Sequence, residues 1–113
     1  MSGSQISTHI LDTAVGHPAA GVAVVLEAEA GGTWTLMASG VTDENGRLTD
    51  LGPAEVAPGA YRLRFATGAY FQASSTATFF PEVSLTFTVA NPGEHYHVPL
   101  LISPFAYSTY RGN

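Results

Sequence analysis

The sequence contains no cysteine and no lysine, and only 12% of its residues are charged. The lack of cysteine excludes disulfide bonds and thiolate metal sites, and it fits a reducing compartment. The cations are four arginines against nine acidic residues, for a formal net charge of −5. Nucleic acids and anionic membranes both attract basic surfaces, so this composition argues against either partner.

Long apolar runs are also missing from the sequence. No stretch approaches the roughly 20 residues of a membrane-spanning helix. The opening residues MSGSQIS lack the charged and apolar regions of a secretory signal, and cytoplasmic residence is the resulting prediction. A chain of 113 residues suits a single domain over 1–113, with a hydrophobic core large enough to fold without disulfide bonds or a structural metal.

What the sequence does have is a series of short alternating segments separated by turn signals. Alternation of apolar and polar residues is typical of half-buried strands. It predicts strands at 5–13, 22–30, 33–42, 47–51, 60–66, 83–89, 96–102 and 105–111. The stretch 70–80, rich in small and hydroxyl residues, breaks this pattern and is predicted as a short helix. These elements predict an all-β sandwich of two antiparallel sheets with one short helix.

Two of the predicted strands have apolar residues on both faces. In 96–102 the second face carries His97, Pro99 and Leu101, and in 5–13 it carries His9 and Leu11. A sandwich strand normally turns a polar second face to water, so this second face is predicted to lie against another subunit. His9 and His97 then share one outer surface, and Tyr110 joins it by parity along the last strand.

Histidine exchanges protons near neutral pH, and two histidines with an arginine suffice to activate water and hold an anion. His9 and His97 each have two interpretations: a strand histidine satisfied by a neighbouring polar group, or a proton-transfer residue. His95 is predicted to be solvated near a strand edge, and His17 to lie in a surface loop. The residues alone leave both interpretations open for His9 and His97.

The arginines have similar alternatives. Arg47 follows the turn at 43–46 and is either an exposed charge beside an acidic neighbour or an anion-binding group. Arg111 is either a tail charge or part of a site, whereas Arg62 and Arg64 are predicted to be solvated. Metal ligands at zinc spacing, a nucleophile elbow and a phosphate loop are all missing from the sequence.

Five segments carry a resemblance to a known family. They are ISTHILDT (6–13), TDENGR (42–47), FFPEV (79–83), HYHVPLL (95–101) and YSTYRG (107–112). Together they resemble the 5-hydroxyisourate hydrolases, the transthyretin-like proteins of urate breakdown. The resemblance covers nearly the whole chain, and Tyr-Arg-Gly is its most specific element. The family typically ends Tyr-Arg-Gly-Ser, whereas Asn113 stands here and offers an amide in place of a hydroxyl.

The resemblance implies a transthyretin/prealbumin-like sandwich. It also implies a homotetramer, a dimer of dimers, with active sites in a central channel at the dimer–dimer interface. The family's functional residues fall on His9, Arg47, His97 and the segment from Tyr110. Transthyretin itself, the hormone carrier, has lysine at the position of His9, glutamate at that of Arg47 and threonine at those of His97 and Tyr110. At all four positions this sequence therefore resembles the enzyme.

The implied reaction is hydrolysis of 5-hydroxyisourate to 2-oxo-4-hydroxy-4-carboxy-5-ureidoimidazoline, on the route from urate to allantoin. His9 and His97 are the implied proton-transfer residues, with no order of base and acid assigned, and Arg47 is the implied ligand of the substrate oxygens. Tyr110 is implied to wall the pocket, and Arg111 either adds positive potential or ties down the tail. The resemblance implies no metal or other cofactor.

Two other classes of protein stay open at this point. One is a small-ligand carrier that holds an aromatic molecule in the same channel. The other is a structural sandwich module with no site. A carrier is expected to return its ligand unchanged, whereas an enzyme releases product.

Overall fold

A computed structural model describes residues 3–113, which form two β-sheets and one helix. The first sheet contains β1 (Ile6–Asp12), β2 (His17–Pro18), β5 (Arg47–Leu48), β8 (Tyr96–Ser103) and β9 (Ala106–Thr109). The second contains β3 (Ala23–Ala30), β4 (Thr33–Val41), β6 (Gly59–Phe65) and β7 (Val83–Val89). Helix α1 (Thr67–Ala73) follows β6. The all-β sandwich with one short helix is therefore confirmed.

The order of strands is β2-β1-β8-β9 in the first sheet, with β5 also paired to β1, and β4-β3-β6-β7 in the second. Every strand pair is antiparallel except β1 and β8, which run parallel. This pair joins the two ends of the chain and sets Ser7 opposite His97 and His9 opposite Pro99. Alternating residues do not encode strand direction, so the sequence pattern did not predict the parallel pair.

The helix lies earlier than the predicted range 70–80. It ends at Ala73, and Ser75, two residues later, takes a left-handed backbone conformation with φ of 55°. The hydroxyl of Ser74 bonds to the carbonyl of Phe71 and to Thr76. Serine and threonine side chains that bond to the local backbone compete with helical hydrogen bonds, and this explains why the Ser-Thr run stops the helix. Within residues 3–113 no helix is long and apolar enough to cross a membrane.

The core lies between the sheets and is built from alternate residues of the strands. Its fully buried members include Ile6, Ile10, Val24, Leu26, Leu63, Phe65, Leu100 and Ile102. Burying one such side chain is worth about 1.5–3 kcal/mol, which fixes these residues inward. The intervening residues of β1 and β8 therefore point outward. We call their side, formed by Ser7, His9, Leu11, His97, Pro99 and Leu101, the outer face.

The outer face is not a solvated polar surface. Ser7 and Pro99 are buried, while His9, Leu11 and Leu101 are half-buried. The two-faced apolar character predicted for β1 and β8 is thus observed, and it places both histidines among apolar neighbours.

Candidate active site

The first feature of the site is the placement of two histidines on adjacent strands. Because residues paired in a sheet share a face, Ser7 and His97 lie side by side, and His9 lies one pair further along β1. Both histidines are half-buried. The pKa of His97 is lowered by burial, and further by the positive charges of His95, His9 and Arg47. His97 is therefore neutral at pH 7, the form in which it can accept a proton.

His9 has an unmet hydrogen-bonding capacity. Its Nε2 atom is buried and finds no partner among residues 3–113. Buried polar atoms are nearly always paired with protein or water. An unpaired ring nitrogen on a face that carries a second histidine points to a water, ligand or neighbouring subunit as its partner.

Arg47 is brought to the same place by the turn at 43–46. The carboxylate oxygen Oδ1 of Asp43 accepts hydrogen bonds from the backbone N–H of Asn45 at 2.8 Å and of Arg47 at 2.9 Å. Gly46 has φ of +74°, and a Cβ there would lie 2.4 Å from the carbonyl oxygen of Ile10. Only glycine lets the turn approach β1 this closely, and the result sets Arg47 opposite His9.

The electrostatics of this turn agree with its geometry. The pKa of Asp43 is lowered chiefly by the backbone N–H of Arg47, then by that of Asn45 and by the positive charges of Arg47 and His9. Among the four arginines, all within residues 3–113, Arg47 is the one whose guanidinium makes no ion pair. An exposed guanidinium with free donors beside two histidines suits an anionic or carbonyl oxygen.

The C-terminal segment closes against His97. The backbone N–H of Gly112 donates to the carbonyl of His97 at 2.8 Å. A Cβ at Gly112 would lie 2.7 Å from Cδ2 of the His97 ring. The segment therefore packs directly on the imidazole, and glycine is needed for this contact.

The two other predicted residues of this segment differ in their surroundings. Tyr110 is 60% exposed, and with His97, Leu85 and Phe87 it lines a cleft of about 360 Å³. Arg111 lines the same cleft, but its guanidinium is bound to Glu94, with Nη2 to Oε1 at 3.1 Å, and lies 4.4 Å from the ring centre of Tyr96. Of its two interpretations, the contacts favour Arg111 as a group that ties down the tail.

Sequence reasoning missed two residues that contact His97 or its neighbours, and it included Gly112 only within the segment from Tyr110. Ser7 carried no signal of its own. His95 is exposed as predicted, but its Nε2 lies 2.8 Å from Oγ of Ser7. The parallel register of β1 and β8 is what brings Ser7 and His95 together.

The remaining histidine and arginines stand apart from this cluster. His17 is exposed on β2. Arg62 and Arg64, predicted to be solvated, have side chains that are 26% and 43% exposed, and they also pair with Glu27 and Glu82. Among residues 3–113 no group of three or more His, Cys, Asp or Glu side chains is arranged to hold a metal ion.

Comparison with known proteins places these observations in a family. The model of the HIUase/Transthyretin family matches residues 6–112. A 5-hydroxyisourate hydrolase from Salmonella dublin is 50% identical over 109 residues, which is 96% of this chain and 80% of that protein. The crystal structure of sea bream transthyretin in complex with thyroxine superposes with a TM-score of 0.90 at 33% identity, covering 96% of this chain and 94% of that one.

The structure of Klebsiella pneumoniae 5-hydroxyisourate hydrolase superposes with a TM-score of 0.85 at 37% identity, covering 96% of this chain and 92% of that one. The fold is therefore shared by hydrolases and by a thyroxine-binding protein, and it does not separate the two functions. The family match and the identities over nearly the whole chain leave no doubt about kinship: this chain belongs to the HIUase/Transthyretin family.

Proposed function

We propose that this protein hydrolyses 5-hydroxyisourate to 2-oxo-4-hydroxy-4-carboxy-5-ureidoimidazoline. The observation that carries the proposal is the grouping of His9, His97 and Arg47 on one face of the first sheet, where Arg47 makes no ion pair within residues 3–113. The similarity to named 5-hydroxyisourate hydrolases supports the same reaction. The hydrolase prediction drawn from the sequence is therefore favoured over the carrier.

The reaction opens a ring by breaking an amide C–N bond. A water molecule attacks the ring carbonyl, the carbonyl oxygen gains negative charge, and the ring nitrogen leaves with a proton. The step needs a base for water, donors for the oxyanion and an acid for the nitrogen.

The residues of the site match these needs. His97 is neutral because its pKa is lowered, so we assign it as the base that takes a proton from water. The guanidinium of Arg47 stabilises the oxyanion as a charged donor that is already in place. We assign His9 to bind the substrate or to donate a proton to it, a role supported by its Nε2, which has no partner within residues 3–113. Tyr110 contributes an aromatic wall beside His97.

The assembly that we propose is a homotetramer that buries the outer face. Leu11 and Leu101 are half-buried apolar residues on that face, and covering their remaining apolar surface is a driving force for association. β7 and β9 are edge strands, and an edge strand readily pairs with another chain. Sedimentation equilibrium tests this assembly directly, and a monomer at micromolar concentration contradicts it.

Cytoplasmic residence stays a prediction.

The activity is tested by generating 5-hydroxyisourate from urate with urate oxidase and following its decay by absorbance. We expect the wild-type protein to accelerate the decay and His9→Ala to lose the acceleration. His17→Ala is the matched control, because His17 is exposed on β2 and lies outside the cluster. A wild-type protein that leaves the spontaneous rate unchanged contradicts the proposal.

A small-ligand carrier is the second candidate, favoured by the superposition on sea bream transthyretin. The same assay separates the two functions. A carrier binds an aromatic ligand and returns it unchanged, and its binding does not depend on a neutral His97. Ligand binding without acceleration of the decay favours the carrier.

A further inference from the structure

The hydroxyl of Ser7 bridges two imidazole rings. Its Oγ lies 2.8 Å from Nδ1 of His97 and 2.8 Å from Nε2 of His95. The two rings are nearly parallel, with centres 6.4 Å apart and an angle of 19° between their planes. Ser7 is only 2% exposed, whereas His95 is exposed. A buried hydroxyl thus connects the half-buried ring of His97 to a ring in solvent.

The number of available protons limits how the hydrogen-bonded residues His95, Ser7 and His97 can transfer charge. A serine hydroxyl has one hydrogen, so it can donate to only one of the two ring nitrogens, and in a proton relay it accepts from the other. If Ser7 donates to His95, then Nδ1 of His97 carries the hydrogen and Nε2 of His97 is left as the basic atom. If Ser7 donates to His97, the hydrogen of neutral His97 sits on Nε2. The direction of the hydroxyl therefore sets whether Nε2 of neutral His97 is free to accept a proton or already carries one, which it can release only as Nδ1 gains another.

We propose that Ser7 and His95 are positioning residues that act through His97, forming a relay that moves positive charge from the buried ring to the exposed one. The inference rests on the proposed hydrolase function with His97 as the base. Neither residue is required to touch the substrate.

The relay begins when Nε2 of His97 takes a proton from the attacking water, whose oxygen bonds to the ring carbonyl carbon. The Nδ1 proton of His97 then passes to Oγ of Ser7 as the hydroxyl proton of Ser7 passes to Nε2 of His95. His97 is now neutral with its hydrogen on Nε2, and the positive charge is on His95.

Cleavage of the C–N bond reverses the relay. The Nε2 proton of His97 goes to the leaving nitrogen, while the proton on His95 returns to Ser7 and that of Ser7 to Nδ1 of His97. One proton enters from water and one leaves with the nitrogen, so all three residues return to their starting states.

The surroundings explain why the charge should move. Burial is the main cause of the lowered pKa of His97, and the ionisable groups that add to it are His95, His9 and Arg47. A cationic His97 is therefore costly beside His9 and Arg47. Water solvates the charge at the exposed ring of His95, where Glu94 and Arg111 form an ion pair at the neighbouring backbone.

The test compares kcat and KM for Ser7→Ala, Ser7→Thr and His95→Gln. Glutamine keeps a hydrogen-bonding group near Ser7 but cannot accept the proton, so we expect His95→Gln to lower kcat about tenfold with little change in KM. Ser7→Ala breaks the chain, and we expect kcat to fall about 100-fold. Ser7→Thr restores a hydroxyl and should recover part of the loss. Ser39→Ala and His17→Gln, both at exposed positions outside the cluster, are the matched controls.

Two readouts separate a relay from a structural role. In mixtures of light and heavy water, the wild-type rate should curve with deuterium content because several protons move together, and the curve should become linear in His95→Gln. Nitrogen-15 NMR of the imidazoles should show hydrogen on Nδ1 of His97 in the wild type and a mixture of tautomers in Ser7→Ala.

The outcomes distinguish two failures. A wild-type protein without hydrolase activity overturns the proposed function. An active wild type whose kcat survives His95→Gln, with the same curved dependence on deuterium, overturns the relay alone. If Ser7→Ala does not fold, His95→Gln decides the question, because the change is confined to an exposed side chain.

Discussion

The contact between Gly112 and His97 provides a sharp test of the site. Gly112 does not adopt a left-handed backbone conformation, so the cost of Gly112→Ala is steric. The added Cβ would lie 2.7 Å from Cδ2 of His97 and 3.1 Å from Cγ of Pro99. Carbon atoms normally approach to about 3.5 Å, so the ring must move by about 0.8 Å or the segment must detach.

Either response is expected to damage catalysis more than stability. Detachment costs the hydrogen bond from Gly112 to the carbonyl of His97, worth about 1 kcal/mol. A displacement of about 1 Å in a catalytic group can lower the rate about 100-fold. We therefore expect Gly112→Ala to lose about 100-fold in kcat while its urea unfolding midpoint falls only slightly.

The assay is the decay of enzymatically generated 5-hydroxyisourate, paired with urea denaturation. Gly93→Ala is the matched control, because no heavy atom lies within 4 Å of a Cβ built there. If Gly112→Ala turns over within twofold of the wild type, the packing of the tail does not position His97.

Three further predictions address the anion-binding group, the proton acceptor and the fold. Arg47→Gln should lower kcat/KM about 100-fold by removing a charged donor to the oxyanion, and retention of full activity contradicts that role. Because the pKa of His97 is lowered from 6.5, kcat/KM should fall on acidification with an apparent pKa below 6.5. The free energy of unfolding should fall over the same pH range, because the unfolded chain binds more protons there. A fall in kcat/KM that is centred above pH 6.5 contradicts the assignment of His97 as the base. The hydroxyl of Tyr70 donates to Oδ2 of Asp12 at 2.8 Å, and burial and that carboxylate raise the pKa of Tyr70 to about 12. Tyr70→Phe should cost about 2 kcal/mol in urea unfolding without changing turnover, and an unchanged midpoint would show that water replaces the bond.

The strands were predicted within one or two residues in most cases because alternation is a local property. Each segment shows which side chains face the core without knowledge of its partner. The prediction was poorer where only one or two pairs form: the strand expected at 47–51 is the two-residue β5, and the turn before β3 contains β2. The helix was misplaced because the hydroxyl run after Ala73 bonds to its own backbone, a choice that composition does not reveal.

The candidate site was assigned partly from residue types and partly from resemblance. Alternation alone indicated that His9 and His97 share a face, and the structure puts them there. Their catalytic roles, and that of Arg47, stay predictions. Tyr110 and Arg111 both line the cleft beside His97, but only Arg111 is held by an ion pair, with Glu94.

The amino-acid sequence was thus sufficient to predict the sandwich, the strands with two apolar faces and the chemistry that the side chains can carry. The hydrogen bonds that link His95, Ser7 and His97 depend on the pairing register of β1 and β8, which joins residues about 90 positions apart in the sequence. That register is set by how Ile6, Ile10, Leu100 and Ile102 pack in the common core, because a slip of one residue would turn these side chains to the opposite face. Such packing is a property of the folded whole, and it alone decides which hydroxyl reaches which imidazole.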